Sequence, residues 1–244
     1  MRALLSRCPN DQSSHISILM MLVRARAVGS RARTLTAAAF SSSCGWVPAP
    51  SYDGVNVFGD ASVENDVLIT CEHGGEALPV GYAWGPNDED RLVGTHWFVD
   101  VGAKECTADL AAELRCPAVC AQYSRLLLDL NRPLASPTLI RTDADGPIEM
   151  NKDITSEQAV KRLQDHYVPY HHTVGQIAEL VRPRLLVSMH TFTGSYEGGP
   201  ARQLEVGVLN SVGDGGAVSN ALTESLNGAG YITEVDEPYS AVSG

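Results

Sequence analysis

From Asp66 onward, short apolar runs bounded by turn residues alternate with longer stretches of helix-forming residues. This alternation constrains the fold more than any other feature of the chain. Residues 67–71, 118–122, 125–130, 184–189, 204–208 and 231–235 read as strands, and residues 96–115, 155–181 and 216–227 as helices. Thr155-x-x-Gln158 has the spacing of a capping box, in which side chain and backbone satisfy each other at a helix start. Pro169 is expected to kink or split the helix that follows, since proline lacks the amide proton. Strands alternating with helices indicate an α/β sheet covered on both faces.

At 244 residues and 44% hydrophobic content, the chain holds one domain with a sizeable core. A net charge of −11 argues against nucleic acid as a partner. That charge is unevenly spread. Residues 1–45 carry six arginines, no lysine and the single acid Asp11, for +5, which leaves −16 on the remainder. An Arg-rich, Ser/Ala-rich leader of this kind is expected to be a mitochondrial transit peptide, the alternative being a disordered tail on a cytoplasmic protein. Residues 46–65, with Pro48, Pro50, Gly54 and Gly59, read as a linker. The apolar run from Ile16 to Val23 falls far short of the ~20 residues a bilayer requires, so no membrane partner is expected. Six scattered cysteines form no CxxC pair and are expected to be free thiols.

Two histidines carry the strongest chemical signal. His73 opens His73-Gly74-Gly75-Glu76 just after the run 67–71, and His190 stands at the end of the run 184–189. In open α/β sheets ligands bind at the carboxyl ends of strands, so both imidazoles are expected at one edge. Glu76 is three residues beyond His73, a spacing that lets two side chains chelate one ion. An exposed loop acid is the competing reading for Glu76, and a satisfied core residue that for His190. Two imidazoles and one carboxylate suit Zn²⁺ and leave a position open for water. Between these motifs lies Arg125-x-x-x-Asp129-Leu130-Asn131-Arg132. An arginine past a strand end can grip a substrate carboxylate in two-pronged fashion, with an asparagine adding a hydrogen bond. The other arginine can stabilise an oxyanion. The Gly-rich stretch 194–199 has neither Walker nor Rossmann spacing and is expected to be a mobile loop beside the metal.

The ordered series of short motifs resembles the N-formylglutamate amidohydrolase family, relatives of the zinc carboxypeptidases and aspartoacylases. It runs from Thr70-Cys71-Glu72-His73-Gly74-Gly75 with Pro79 through His96, Asp100-Val101-Gly102-Ala103, Tyr123-Ser124-Arg125 and Asp129-Leu130-Asn131-Arg132. Asn151, Arg162, Pro169-Tyr170-His171, Ser188-Met189-His190-Thr191-Phe192-Thr193, Arg202 and Glu237-Pro238-Tyr239-Ser240 complete it, so the domain is taken as 66–244. The resemblance implies a mixed sheet with helices on both faces, phosphorylase/hydrolase-like. It also implies a zinc-dependent amidohydrolase acting on a small N-acyl acidic amino acid such as N-formylglutamate. By the same resemblance His73, Glu76 and His190 are the expected metal ligands, with Glu72 and Asp100 as alternates for Glu76. Arg125 is the expected oxyanion donor; Asn131, Arg132 and Tyr239 are expected at the substrate.

Relatives usually continue past the Pro-Tyr-Ser element into a segment with a further glutamate, so the domain reads as C-terminally truncated; either the general base is missing or Glu237 substitutes for it, the competing reading for Glu237 being a rim residue ahead of Pro238. A metal-binding homologue of weak activity, or an α/β interaction protein, are the alternative functions.

Overall fold

The computed structural model describes residues 19–25, 53–61, 64–195, 199–210 and 216–239. Seven strands form one mixed sheet: β1 (Leu19–Ala25), β2 (Val55–Phe58), β3 (Val67–Cys71), β4 (Ala118–Ala121), β5 (Leu185–Thr191), β6 (Val206–Asn210) and β7 (Thr233–Val235), in the order β2-β4-β3-β5-β1-β6-β7. At its centre β4, β3 and β5 run parallel, so their carboxyl ends share one edge. β2 is antiparallel to β4 on one flank; β1 is antiparallel to β5 and parallel to β6 on the other.

Period-2 alternation assigns the strand residues to two faces. Ile69, Cys71, Ala118, Cys120, Val187, Met189, Val206 and Val208 turn to one side, where they pack on α2 (Ala103–Leu114) and α5 (Ala217–Gly228). Leu68, Val119 and Ala121 turn to the other, against Tyr170, Ile177 and Val181 of α4 (Val168–Val181). Helices therefore cover both faces, as the alternating sequence predicts. The second face changes character along β3 and β5. Leu68 gives way to Thr70 and Glu72, and Leu186 to Ser188 and His190, so a buried polar stripe approaches the carboxyl edge. A short helix, α1 (Asp88–Leu92), lies in the long loop after β3. The four cysteines among the described residues are buried, and none is disulfide-bonded to another of them. No described helix is long and apolar enough to cross a membrane.

The capping box forms as the spacing predicts. Thr155 accepts from the Gln158 amide at 3.2 Å, Gln158 accepts from the Thr155 amide at 2.9 Å, and α3 (Ser156–Arg162) follows. Pro169 marks a break in the helical run: α3 ends at Arg162, one wide turn spans Leu163–Tyr167, and α4 begins at Val168 with Pro169 in its first turn.

Residues 125–130 are not a strand. Their carbonyls are taken by side chains instead of a neighbouring ladder: Asn151 Nδ2 donates to Leu126 O at 2.8 Å, and Arg162 Nη1 to Leu127 O at 2.8 Å. The apolar run Leu126-Leu127-Leu128 is buried all round, which reads like a strand in sequence but is a packed turn. The helix expected over 96–115 begins only at Ala103, because Gly102 at φ 79° ends a string of turns. β2 falls within the stretch that reads as a linker.

The largest departure concerns the expected leader. Residues Leu19–Ala25, inside that +5 segment, lie hydrogen-bonded between β5 and β6, with Met20 opposite His190 and Gly207. The rest of the expected leader lies outside the described residues. Because β1 separates β5 from β6, removing it would leave two unpaired strand edges in mid-sheet, a configuration prone to aggregation. Deleting residues 1–25 should therefore lower the melting temperature by roughly 5–10 °C, the scale of a few kcal/mol in a domain this size. Calorimetry on the two proteins side by side checks this; equal melting temperatures and solubility would show that β1 adds nothing to the sheet.

Candidate metal centre

His73 and His190 meet at the carboxyl edge of the parallel strands, with ring centroids 4.7 Å apart. His73 follows β3 directly, in a turn whose backbone is tied to the Asp100 segment by the Asp100 amide on His73 O at 3.0 Å. Thr191 Oγ1 donates to Val101 O at 3.0 Å, which fastens the end of β5 to the same segment. Asp100 thereby faces both imidazoles. Its Oδ2 stands 2.8 Å from His190 Nδ1 and 3.5 Å from His73 Nδ1. His73, Asp100 and His190 are all buried, and one ligand atom from each lies within 4.8 Å of the others. Gly75 permits the turn to press against the neighbouring chain: a side chain there would meet the Tyr123 carbonyl and stand 2.6 Å from the Tyr123 nitrogen.

The hydrogen-bond network orients both imidazoles. Burial works to raise the Glu72 pKa, but His190, Ser188 and His73 outweigh it and the net shift is downward. Glu72 is thus a carboxylate that only accepts, taking the hydroxyl protons of Ser188 at 2.6 Å and Tyr170 at 3.3 Å. With its one proton committed there, Ser188 Oγ is an acceptor toward His190 Nε2, 3.1 Å away. His190 thus turns Nε2 toward Ser188 and Nδ1 toward Asp100. His73 repeats the arrangement. Its Nε2 donates to Asp129 Oδ1 at 2.6 Å, and its Nδ1 faces Asp100 Oδ2. Burial raises the pKa of Asp129 as well, yet His73 and Arg125 overcome this and hold it well below the carboxylate range. The same balance, with His73 and His190 opposing burial, keeps Asp100 ionised.

Two imidazole nitrogens and one ionised carboxylate oxygen thus converge at one buried point. Once the imidazoles give up their Nδ1 protons, such a point can hold a cation. The neutral-imidazole and carboxylate donor set suits Zn²⁺, and the spacings of 2.8 and 3.5 Å bracket the roughly 3.3 Å that separates ligand atoms around a tetrahedral zinc. Hydrogen bonds from each Nε2 to Asp129 and Ser188 supply the outer support that orients metal-binding histidines. The residues present fit a divalent metal.

Not every residue singled out in the sequence joins this group. Glu76 is exposed and lies outside it; the chain has turned outward by that position, and Asp100 supplies the carboxylate instead. Arg125 is half-buried and forked across two acids, Nη1 to Asp100 Oδ1 at 3.0 Å and Nη2 to Asp129 Oδ2 at 3.1 Å. Arg132 Nε lies 3.8 Å from Asp129 Oδ2, and Asn131 Nδ2 stands 3.3 Å from His190 Nε2. The wide turn and α4 hold this segment by its backbone, through Tyr167 on Arg132 O and His171 on Leu130 O, both at 3.0 Å. Tyr239 is exposed, with its ring 6.4 Å from that of Phe192. Glu237 is exposed and makes no bond to the histidines or to Asp100.

Arg141 is a cation that sequence reasoning missed. Burial and the nearby charges of Arg125 and Arg132 push its pKa down, and its guanidinium lies 4.9 Å over the Trp97 ring. No spacing rule links residue 141 to the motif at 125–132, so only the fold brings it there.

The sequence pattern of the N-formylglutamate amidohydrolase family matches residues 65–243. No curated protein matches the chain. Among solved structures, that of a gene product of Agrobacterium tumefaciens is 26% identical, with a TM-score of 0.65 over 77% of this chain and 74% of that one. The crystal structure of N-formylglutamate amidohydrolase from Ralstonia eutropha is 15% identical, with a TM-score of 0.50 over 76% of this chain and 77% of that one, a likeness of fold alone. Matched over most of its length and built on the fold of those structures, the chain belongs to the N-formylglutamate amidohydrolase family.

Proposed function

We propose that the protein is a zinc-dependent amidohydrolase that removes the acyl group, most simply formyl, from an N-acyl acidic amino acid such as N-formylglutamate. The observation that carries the reading is the convergence of the His73 and His190 Nδ1 atoms on Asp100 Oδ2. A zinc ion held there would polarise the scissile carbonyl and acidify its bound water. Asp129 keeps the His73 ring in place and Ser188 that of His190. Arg125, locked between two carboxylates, keeps a fixed positive charge beside the reacting carbonyl and stabilises the oxyanion. Arg132, only loosely paired with Asp129, takes a substrate carboxylate together with Asn131. Water attacks the carbonyl, the C–N bond breaks, and formate and the free amino acid leave.

Elemental analysis of the purified protein should find about one zinc per chain, the stoichiometry of a single three-ligand site. His190→Ala and Asp100→Asn should lose most of it and Glu76→Gln none. A folded protein without zinc, or a Glu76→Gln variant that loses it, would sink the site. Assayed with N-formylglutamate, the zinc-loaded protein should release formate. A zinc-loaded protein inert toward this substrate would favour instead the metal-binding homologue of weak activity, a reading that the exposed position of Glu237 keeps in view.

Zinc affinity should fall as the solution is acidified. Burial and Arg125 disfavour the charged form of His73, but Asp129 and Asp100 outweigh them and raise its pKa above the usual 6.5. A proton therefore competes for Nδ1 below that raised value, and metal must displace it. Competition titrations between pH 6 and 8 should show tighter binding at higher pH; a flat profile would mean that His73 is not a ligand.

Arg132→Lys keeps the charge but loses the planar fork. It should weaken binding of an N-acyl glutamate by roughly 1.5–3 kcal/mol, the scale of a charged hydrogen bond. Unchanged calorimetric affinity would remove Arg132 from the carboxylate site.

A further inference from the structure

An N-acyl glutamate brings two carboxylates to a protein whose net charge is −11. Each needs a cation. Arg125 is committed to Asp100 and Asp129, and Arg132 serves one carboxylate in the reading above. Just past β5, the strand that carries His190, stands another arginine that the reaction has not used. Arg202 donates from Nη1 to Thr193 O at 2.9 Å, and its backbone amide reaches Gly194 O at 2.7 Å, so it is anchored to the residues just past β5. Its guanidinium carbon lies 5.5 Å over the Phe192 ring and 5.8 Å over the Tyr239 ring. Those two rings are nearly perpendicular, at 85°, and form a corner that holds the guanidinium.

This corner is built on the residues that follow His190 at the end of β5. Carried one residue past the end of β5, the strand alternation puts Phe192 on the face that His190 occupies. Aromatic rings engage a guanidinium through its faces and leave the in-plane N–H edge for an acceptor. One part of that edge is taken by Thr193 O. Among the described residues no carboxylate pairs with the remainder, which distinguishes Arg202 from Arg125 and Arg132. A half-buried arginine fixed by two rings, short of an anion and adjoining an acid-rich site is arranged for an acidic ligand.

We infer that Arg202, held by Phe192 and Tyr239, is a specificity-determining residue that grips the side-chain carboxylate of the substrate. The inference rests on the amidohydrolase reading and adds to it the residue that selects an acidic side chain over a neutral one. Tyr239 then acts by positioning Arg202.

The test compares N-formylglutamate with N-formylglutamine, which differ only in that carboxylate. Wild-type protein should prefer the acid, and Arg202→Gln should erase roughly 10–150-fold of the preference, the loss of one charged hydrogen bond, through KM. The same variant should keep its kcat on N-formylglutamine and its zinc content. Arg202→Lys should recover part of the preference, because charge without the fork is a weaker grip. An Arg202→Gln variant that slows equally on both substrates, or retains the wild-type ratio, overturns the proposal. So does a loss of preference in Arg141→Gln alone. If Arg202→Gln misfolds, the Lys variant decides: a wild-type ratio there overturns the inference. Wild-type protein that hydrolyses neither substrate overturns the parent reading instead. Calorimetric binding of N-formylglutamate to zinc-loaded wild type and Arg202→Gln then judges Arg202 separately, equal affinities counting against it.

Discussion

One carboxylate organises the site. Asp100 gives Oδ1 to Arg125 and turns Oδ2 to both histidines. Every neighbouring group takes its orientation from this division. Arg125 reaches on to Asp129, Asp129 fixes His73, and the Glu72–Ser188 pair fixes His190. The set is buried, so its charges are bound to one another more tightly than surface pairs would be. Breaking one such pair typically costs about 3–5 kcal/mol, because the abandoned partner remains unsolvated. Asp100 is the one member whose loss would release a cation and two imidazoles together.

The sheet tolerates this concentration of charge because of where it falls. Along β3 and β5 one face stays apolar throughout, while the other turns polar only toward the carboxyl edge. Tyr170 closes the stripe from above, fully buried, with its hydroxyl on Glu72. The polar residues are therefore bonded to one another beneath a helix, and the hydrophobic core underneath remains continuous.

The period-2 runs at β3 and β5 and the Thr155 cap were legible because each is local chemistry: alternation and capping need only adjacent residues. The pairing of His73 with His190 was legible for a related reason, since both stand at the ends of such runs. Asp100 was harder to choose over Glu76. Spacing favours an acid three residues from a histidine, whereas the structure uses one that the backbone bond from the Asp100 amide to His73 O brings alongside. The Leu126–Leu128 run misled because burial on all sides looks the same in a strand and in a turn held by Asn151 and Arg162. The segment Leu19–Ala25 misled because its flanking arginines outweighed its own strand-like composition.

The position of β1 also bears on the order in which the molecule can assemble. The earliest strand among the described residues lies between two that come late in the chain, since β5 and β6 follow most of the sequence. A ribosome has to deliver nearly the whole sequence before this strand can find its neighbours, and pairings so distant in sequence form slowly. The early segment must wait, unpaired, while the β3–β4 half of the sheet is already available to fold. Closing the sheet is thus a late event, and the chain remains open to other partners for that strand until β6 appears.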